Sequence, residues 1–138
     1  MALIGGGGAG NVAGGSNPSG VGTSLNYVGE HAYAYSGAVS VNGTETTLIE
    51  ASVSNNYLTL LWDSAYSPNA YSTKQYTFKL YLDEQLVHAE FHYDNNIETM
   101  GTTRILIPPY SKVKITAENV TDNTALDCLV TLSGRVYQ

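Results

Sequence analysis

From residue 30 to the end of the 138-residue chain, apolar and polar residues alternate with a period of two. In "KQYTFKLYL" (74–82), Tyr76, Phe78, Leu80 and Leu82 share one parity. In "KVKITAEN" (112–119), Val113 and Ile115 alternate with Lys112, Lys114, Thr116 and Glu118. In "ALDCLVTLSGRVY" (125–137), Leu126, Cys128, Val130 and Leu132 form the apolar set. Successive side chains of a strand point to opposite faces, so this period marks half-buried β-strands and rules out amphipathic helices, whose period is 3.6. "QLVHAEFHY" (85–93) follows the same rule: Val87, Ala89, Phe91 and Tyr93 are expected to face inward, with His88, Glu90 and His92 outward. With "HAYAYSGAVSV" (31–41), "TTLIEASV" (46–53), "NYLTLLWD" (56–63) and "TTRILI" (102–107), the chain carries about eight strands and no helix.

Eight short strands in one domain imply an all-β fold, a two-sheet antiparallel β-sandwich of jelly-roll-like form. One dipeptide points elsewhere. Asn42-Gly43 is the strongest tight-hairpin signal in the chain, and a tight hairpin pairs neighbours in one sheet. Consecutive jelly-roll strands mostly alternate between sheets.

The first 29 residues are of another kind. They hold ten of the fourteen glycines and no charged side chain, whereas all six Lys and Arg and all twelve Asp and Glu lie from Glu30 onward. The chain therefore divides into a Gly-rich uncharged extended arm, 1–29, and a β-sandwich domain, 30–138. Gly5, Gly7 and Gly10 fit the G-x-G-x-x-G dinucleotide fingerprint. That fingerprint needs a helix immediately after it to receive the pyrophosphate. Here five more glycines and Pro18 follow before residue 30, which excludes the helix. Ordering such an arm costs about 1–2 kcal/mol per residue, which contact with a partner chain would offset. Leu3, Ile4, Val12, Val21, Leu25 and Tyr27 are its apolar anchors. Fully extended, the arm reaches up to about 100 Å, beyond the domain's own surface.

Side-chain chemistry narrows the function classes. With a formal net charge of −6 and six basic residues, the chain lacks the clustered Lys and Arg that nucleic-acid binding requires. No apolar run approaches the ~20 residues of a membrane helix, and no basic residue precedes the first apolar stretch as a secretory signal would require. The single cysteine, Cys128, leaves no internal disulfide and falls on an apolar strand face, where a thiol is inert. No G-x-S-x-G nucleophile motif occurs, and Asp83-Glu84 reads as a turn. His88, Glu90 and His92 are candidate metal ligands, because alternate strand residues share a face. The simpler alternative is a polar sheet face, and no metal or other cofactor is expected. Trp62 with Tyr57, Tyr66 and Tyr71 is a candidate sugar-stacking platform. The sequons at Asn42 and Asn119 are expected to be fortuitous.

"AYSGAVSVNGTETTLIE", followed by "RILIPPYSKVKITAENVTDNTALDCLVTLSGRVY", resembles the small β-sandwich virion structural proteins of tailed bacteriophages, of the cyanophage and marine phage type. The elements that carry the resemblance are Tyr35–Gly37, the Asn42–Thr47 turn, Ile107–Tyr110 with its double proline, and Leu132-x-Gly134-x-Val136-Tyr137. It implies a capsid decoration (cement) protein: a non-enzymatic homotrimer on the virion's capsid surface, made in the host cytoplasm, that binds and stabilises the major capsid protein shell. The alternative is a receptor- or carbohydrate-binding head or fibre domain, attached to the virion by its N-terminal arm.

Overall fold

The computed structural model describes residues 25–66, 74–93 and 103–137. The arm anchors Leu3, Ile4, Val12 and Val21 lie outside the described residues. Among the described residues ten antiparallel strands form two sheets: β1 (Asn26–Val28), β2 (His31–Tyr35), β3 (Val39–Val41), β4 (Thr46–Ser52), β5 (Tyr57–Tyr66), β6 (Gln75–Leu82), β7 (Gln85–Tyr93), β8 (Thr103–Ile107), β9 (Lys112–Asn119) and β10 (Leu126–Tyr137). One sheet runs β4-β9-β6-β7. The other runs β1-β2-β10-β5-β8, with β3 also paired to β10.

Strands β2 and β3 are one strand with a break. Tyr35 pairs with Thr131 and Val39 with Cys128, so both lie along the same edge of β10. At the break Ser36 is fully buried, and its hydroxyl accepts the Val130 N–H at 2.9 Å while donating to the Gly37 carbonyl at 2.7 Å. A side chain thus fills a rung of the ladder that the backbone leaves open. With β2 and β3 counted together and β1 set aside as an added edge, the sheet orders are first-eighth-third-sixth and second-seventh-fourth-fifth. That is the jelly-roll order.

Asn42-Gly43 does not close a hairpin. It carries the chain from β3 in one sheet to β4 in the other. Asn42 Oδ1 accepts the Thr44 N–H at 2.9 Å, while Gly43 N–H donates to Asn123 Oδ1 at 3.1 Å. A Cβ at Gly43 would come within 3.0 Å of the Asp122 carbonyl. The dipeptide's turn chemistry therefore serves a crossing that docks on the β9–β10 loop. The tight hairpin is the expected Asp83-Glu84 turn, with φ of 50° and 70°, joining Leu82 to its partner Gln85. Both residues take the left-handed conformation that a two-residue type I′ loop demands.

The β9–β10 loop is organised from within. Asn119 is buried, its amide donating to Asp122 Oδ1 and the Thr124 carbonyl, both at 3.0 Å, while its Oδ1 accepts the Thr121 N–H at 2.9 Å. The amide nitrogen of this sequon is thus consumed in the fold. The Lys74 ammonium beside Asp122, with the Thr124 N–H, holds the Asp122 carboxyl well below its usual range.

The core lies between the sheets. Leu58, Leu60, Trp62, Val130 and Leu132 of one face Leu48, Ile49, Phe78, Leu80 and Ile115 of the other, all fully buried. Each such side chain contributes about 1.5–3 kcal/mol of burial. The core also takes in Leu25, and β1 pairs Asn26–Val28 with β2. The sheet therefore begins four residues before the boundary expected at residue 30, because Leu25 supplies an apolar side chain that the edge of the core lacks.

Gly134 of β10 lies against the β5 backbone. A Cβ there would lie 1.9 Å from the Thr59 carbonyl oxygen. Gly134→Ala is expected to cost about 1–3 kcal/mol, as overpacked cores do, read as a lower urea midpoint with the β-sheet circular dichroism spectrum retained. An unchanged midpoint would show that the strands part without strain. A second expectation concerns acid. Because the folded state lowers the Asp122 pKa, its contribution is present above about pH 4 and fades as pH falls through the folded value. The melting temperature should drop below that pH, and Asp122→Asn should shrink the drop; an acid profile identical to wild type would place the loss in other carboxylates.

Candidate functional site

The polar set of β7 faces the opposite way from the sequence expectation. In an antiparallel ladder directly opposed residues share a face. Inward-facing Leu80 and Phe78 pair with His88 and Glu90, and Tyr76 pairs with His92. Val87 and Phe91 are exposed instead, at 49% and 65%. A one-residue register shift explains the inversion. The Asp83-Glu84 loop sets Leu82 opposite Gln85 and Tyr81 opposite Leu86, and uninterrupted pairing would then bring Val87 opposite Leu80. Between Leu80 and Tyr81 the register shifts, Val87 is passed over, and His88 takes its place. One extra residue moves every later side chain to the other face.

The inward face is a polar cluster at the open side of the sandwich, between β7 and the strands β5 and β8. Glu90 accepts the Ser64 hydroxyl at 3.1 Å and the Thr103 hydroxyl at 3.0 Å. His88 packs edge-on against Trp62, ring centroids 5.1 Å apart. Its Nε2 lies 3.5 Å from Glu90 Oε1, close enough for attraction when the imidazole is protonated but too misaligned for a hydrogen bond. The Trp62 indole N–H is also buried, without a protein acceptor among the described residues. Glu90 is thus an inward-pointing carboxylate on an edge strand, satisfied by two hydroxyls, a device that discourages strand addition.

Of the candidate metal ligands, the structure brings His88 and Glu90 together. The side chain of His92 lies outside the described residues. Among the described residues no three His, Cys, Asp or Glu side chains gather as a metal-binding group. The sugar platform is not assembled around Trp62. Trp62 is fully buried on the inner face of β5, whereas Tyr57 is half-exposed on the outer face. The Tyr66 side chain and residue 71 lie outside the described residues. Cys128 is buried on the inner face of β10, and burial together with Asp127 pushes its thiol up to about 12. At neutral pH it is a protonated, unreactive core side chain.

The arm anchors separate. Leu25, expected among the partner contacts, is 6% exposed within the core, while Tyr27 is 45% exposed at the sheet edge. Leu25 belongs to the sandwich, because the chain has already entered the sheet at that point.

The two outer faces differ in kind. That of the four-stranded sheet carries paired charges, beside Val87 and Phe91 exposed on its edge strand β7. Lys112 reaches Glu50 at 3.4 Å and Glu84 at 3.7 Å, and Lys79 reaches Glu45 at 3.8 Å. Burial raises the Glu45 pKa, but the Thr116 and Tyr81 hydroxyls outweigh it, with help from Lys79 and Lys114, so the net shift is downward. The outer face of the six-stranded sheet is aromatic and aliphatic instead, with Tyr33 and Tyr35 ring centroids 5.3 Å apart. An apolar depression lined by Tyr35, Gly37, Leu129, Val130 and Thr131 opens at the β2–β3 break. Side-by-side tyrosines were visible in the sequence, but the sheet they flank was not.

Fold and surfaces together define a class: a jelly-roll sandwich with one charged, solvated face and one aromatic face. No protein-family model matches the chain, and neither a curated protein nor a solved structure matches it.

His88→Asn removes the ring packed on Trp62 and should lower stability by about 1–2 kcal/mol, in the range of a truncated half-buried side chain. Denaturant melts of the variant read this directly. A variant as stable as wild type would mean that the polar face carries no packing energy.

Proposed function

We propose that this chain is a non-enzymatic bacteriophage virion structural protein, a capsid decoration protein that binds and stabilises the capsid shell through its N-terminal arm. The observation that carries this reading is where the arm joins the domain. The chain enters the sandwich at Leu25 and β1, the edge strand of the six-stranded sheet. The 24 residues before Leu25 are uncharged and glycine-rich, and they connect to the domain next to that edge strand. An extended segment of that length spans up to about 80 Å of a neighbouring surface. Ile4, Val12 and Val21 are spaced along it as isolated anchors, not as a helix face.

Two further features support it. Jelly-roll sandwiches recur in viral capsid and lectin domains, an analogy of fold alone. The Glu90 carboxylate is held by the Ser64 and Thr103 hydroxyls within the sandwich, which fits a structural role for that side chain. A second reading, a receptor- or carbohydrate-binding head domain attached to the virion by the same arm, is favoured by the exposed Tyr35, Tyr57 and Tyr137.

Deleting residues 2–24, which leaves Leu25 and β1 in place, should abolish most cosedimentation with shells that lack the decoration. Ile4→Asp and Val12→Asp should each weaken it in the full-length chain, because a charge would enter an apolar contact. Truncated protein that binds shells as tightly as the full chain would overturn the proposal. Glycan-array binding by the arm-deleted protein, with no shell binding by either form, would favour the head-domain reading.

A further inference from the structure

We infer that the outer face of the six-stranded sheet is the self-association face of this protein, and that its occupant is a second copy of the chain. Charge is the first argument. The chain carries a net −6, so two copies repel unless they meet where charge is low and balanced. The four-stranded sheet turns out three lysines and their glutamate partners, already paired with one another; covering them would strip water from satisfied ions. The six-stranded sheet turns out two carboxylates, Asp63 and Asp127, and two guanidiniums, Arg104 and Arg135, all exposed among the described residues. Glu30, at the rim, pairs with Arg135 at 3.3 Å. Two arginines among these acids keep the face close to neutral, so a second copy meets little like charge there.

Shape and area are the second argument. The centre of the face is β10, which presents small Thr131 and Ser133. Tyr33 and Tyr35 rise on its β2 side, opposite Ser133 and Thr131, and Leu61 rises on its β5 side, opposite Ser133. Leu129, Leu61 and Tyr35 are 37–38% exposed, and Tyr57 and Tyr137 about half. The face is thus a shallow trough between aromatic and aliphatic ridges, and a ridge of one copy fits the trough of another. The strands of this sheet, at about 4.8 Å spacing and about 3.3 Å per residue, give a face of roughly 600 Å². A standard stable interface takes about 800 Å² from each partner, and aromatic side chains are enriched in interfaces.

This assignment does not rest on the capsid reading: a chain that never touches a shell would still pair through this face. It names the surface, and the same experiment counts the copies. Sedimentation velocity of the full-length chain over a concentration series should give an oligomer. Leu61→Asp and Leu129→Asp should each return the mass to that of one chain while keeping the β-sheet melt, and Lys112→Ala on the opposite sheet should change nothing. A measurement on the unaltered protein guards against a misfolded variant. Tyrosine nitration should be several-fold slower at Tyr35 and Tyr57 than at Tyr110, which is 78% exposed in the β8–β9 turn, and dilution should speed Tyr35 and Tyr57 while leaving Tyr110 unchanged. A chain that stays monomeric would overturn the inference. So would an oligomer in which Tyr35 and Tyr57 react as fast as Tyr110, or protection that arises only when shells or glycans are added.

Discussion

The ladder between β5 and β10 is the constraint on which the rest of the sandwich hangs. Ten consecutive pairs run from Cys128 opposite Tyr66 to Tyr137 opposite Tyr57. Their inward members, among them Leu58, Leu60, Trp62, Val130 and Leu132, form one wall of the core. Both remaining edges of the sheet are built on this pair: β2 and β3 on β10, and β8 on β5. Gly134 leaves no room for a side chain against the β5 backbone, and Ser36 lets the facing strand break without leaving a buried N–H unpaired. Once that ladder is in register, the alternation of every neighbouring strand is decided.

The β6–β7 hairpin shows how little separates one register from another. Its loop and its apolar pattern are both compatible with Val87, Ala89 and Phe91 inside. A single passed-over residue places His88 and Glu90 there instead. Burying a carboxylate is costly without hydrogen-bond partners, and here the neighbouring sheet supplies Ser64 and Thr103. The exchange leaves exposed apolar side chains on an edge strand and a satisfied charge within.

Division of labour between surfaces follows from the same topology. Lysines of β6 and β9 meet glutamates from β4, the loop before it and the β6–β7 turn, producing a closed ion-pair surface that water covers. On the other sheet the outward positions of β2, β5 and β10 are mostly tyrosine, leucine, serine and threonine, with Asp63, Asp127 and Arg135 among them.

Period-two alternation by itself determined the class of fold, because only a strand presents alternate residues to opposite faces. It located the strands and the inward sets of β6 and β10, along with the inert Cys128. The Asp83-Glu84 turn was also legible, since acidic residues break an apolar alternation. Alternation could not reveal a bulge, which changes the face of a strand without changing its residues, and so His88 and Glu90 were assigned outward. Nor could composition separate Leu25 from the arm, for an apolar residue at the end of a glycine-rich stretch serves an anchor and a core equally well. Asn42-Gly43 bends the chain wherever it occurs; whether the bend closes a hairpin or crosses between sheets was decided by the β9–β10 loop that receives it, a contact between residues eighty apart in sequence.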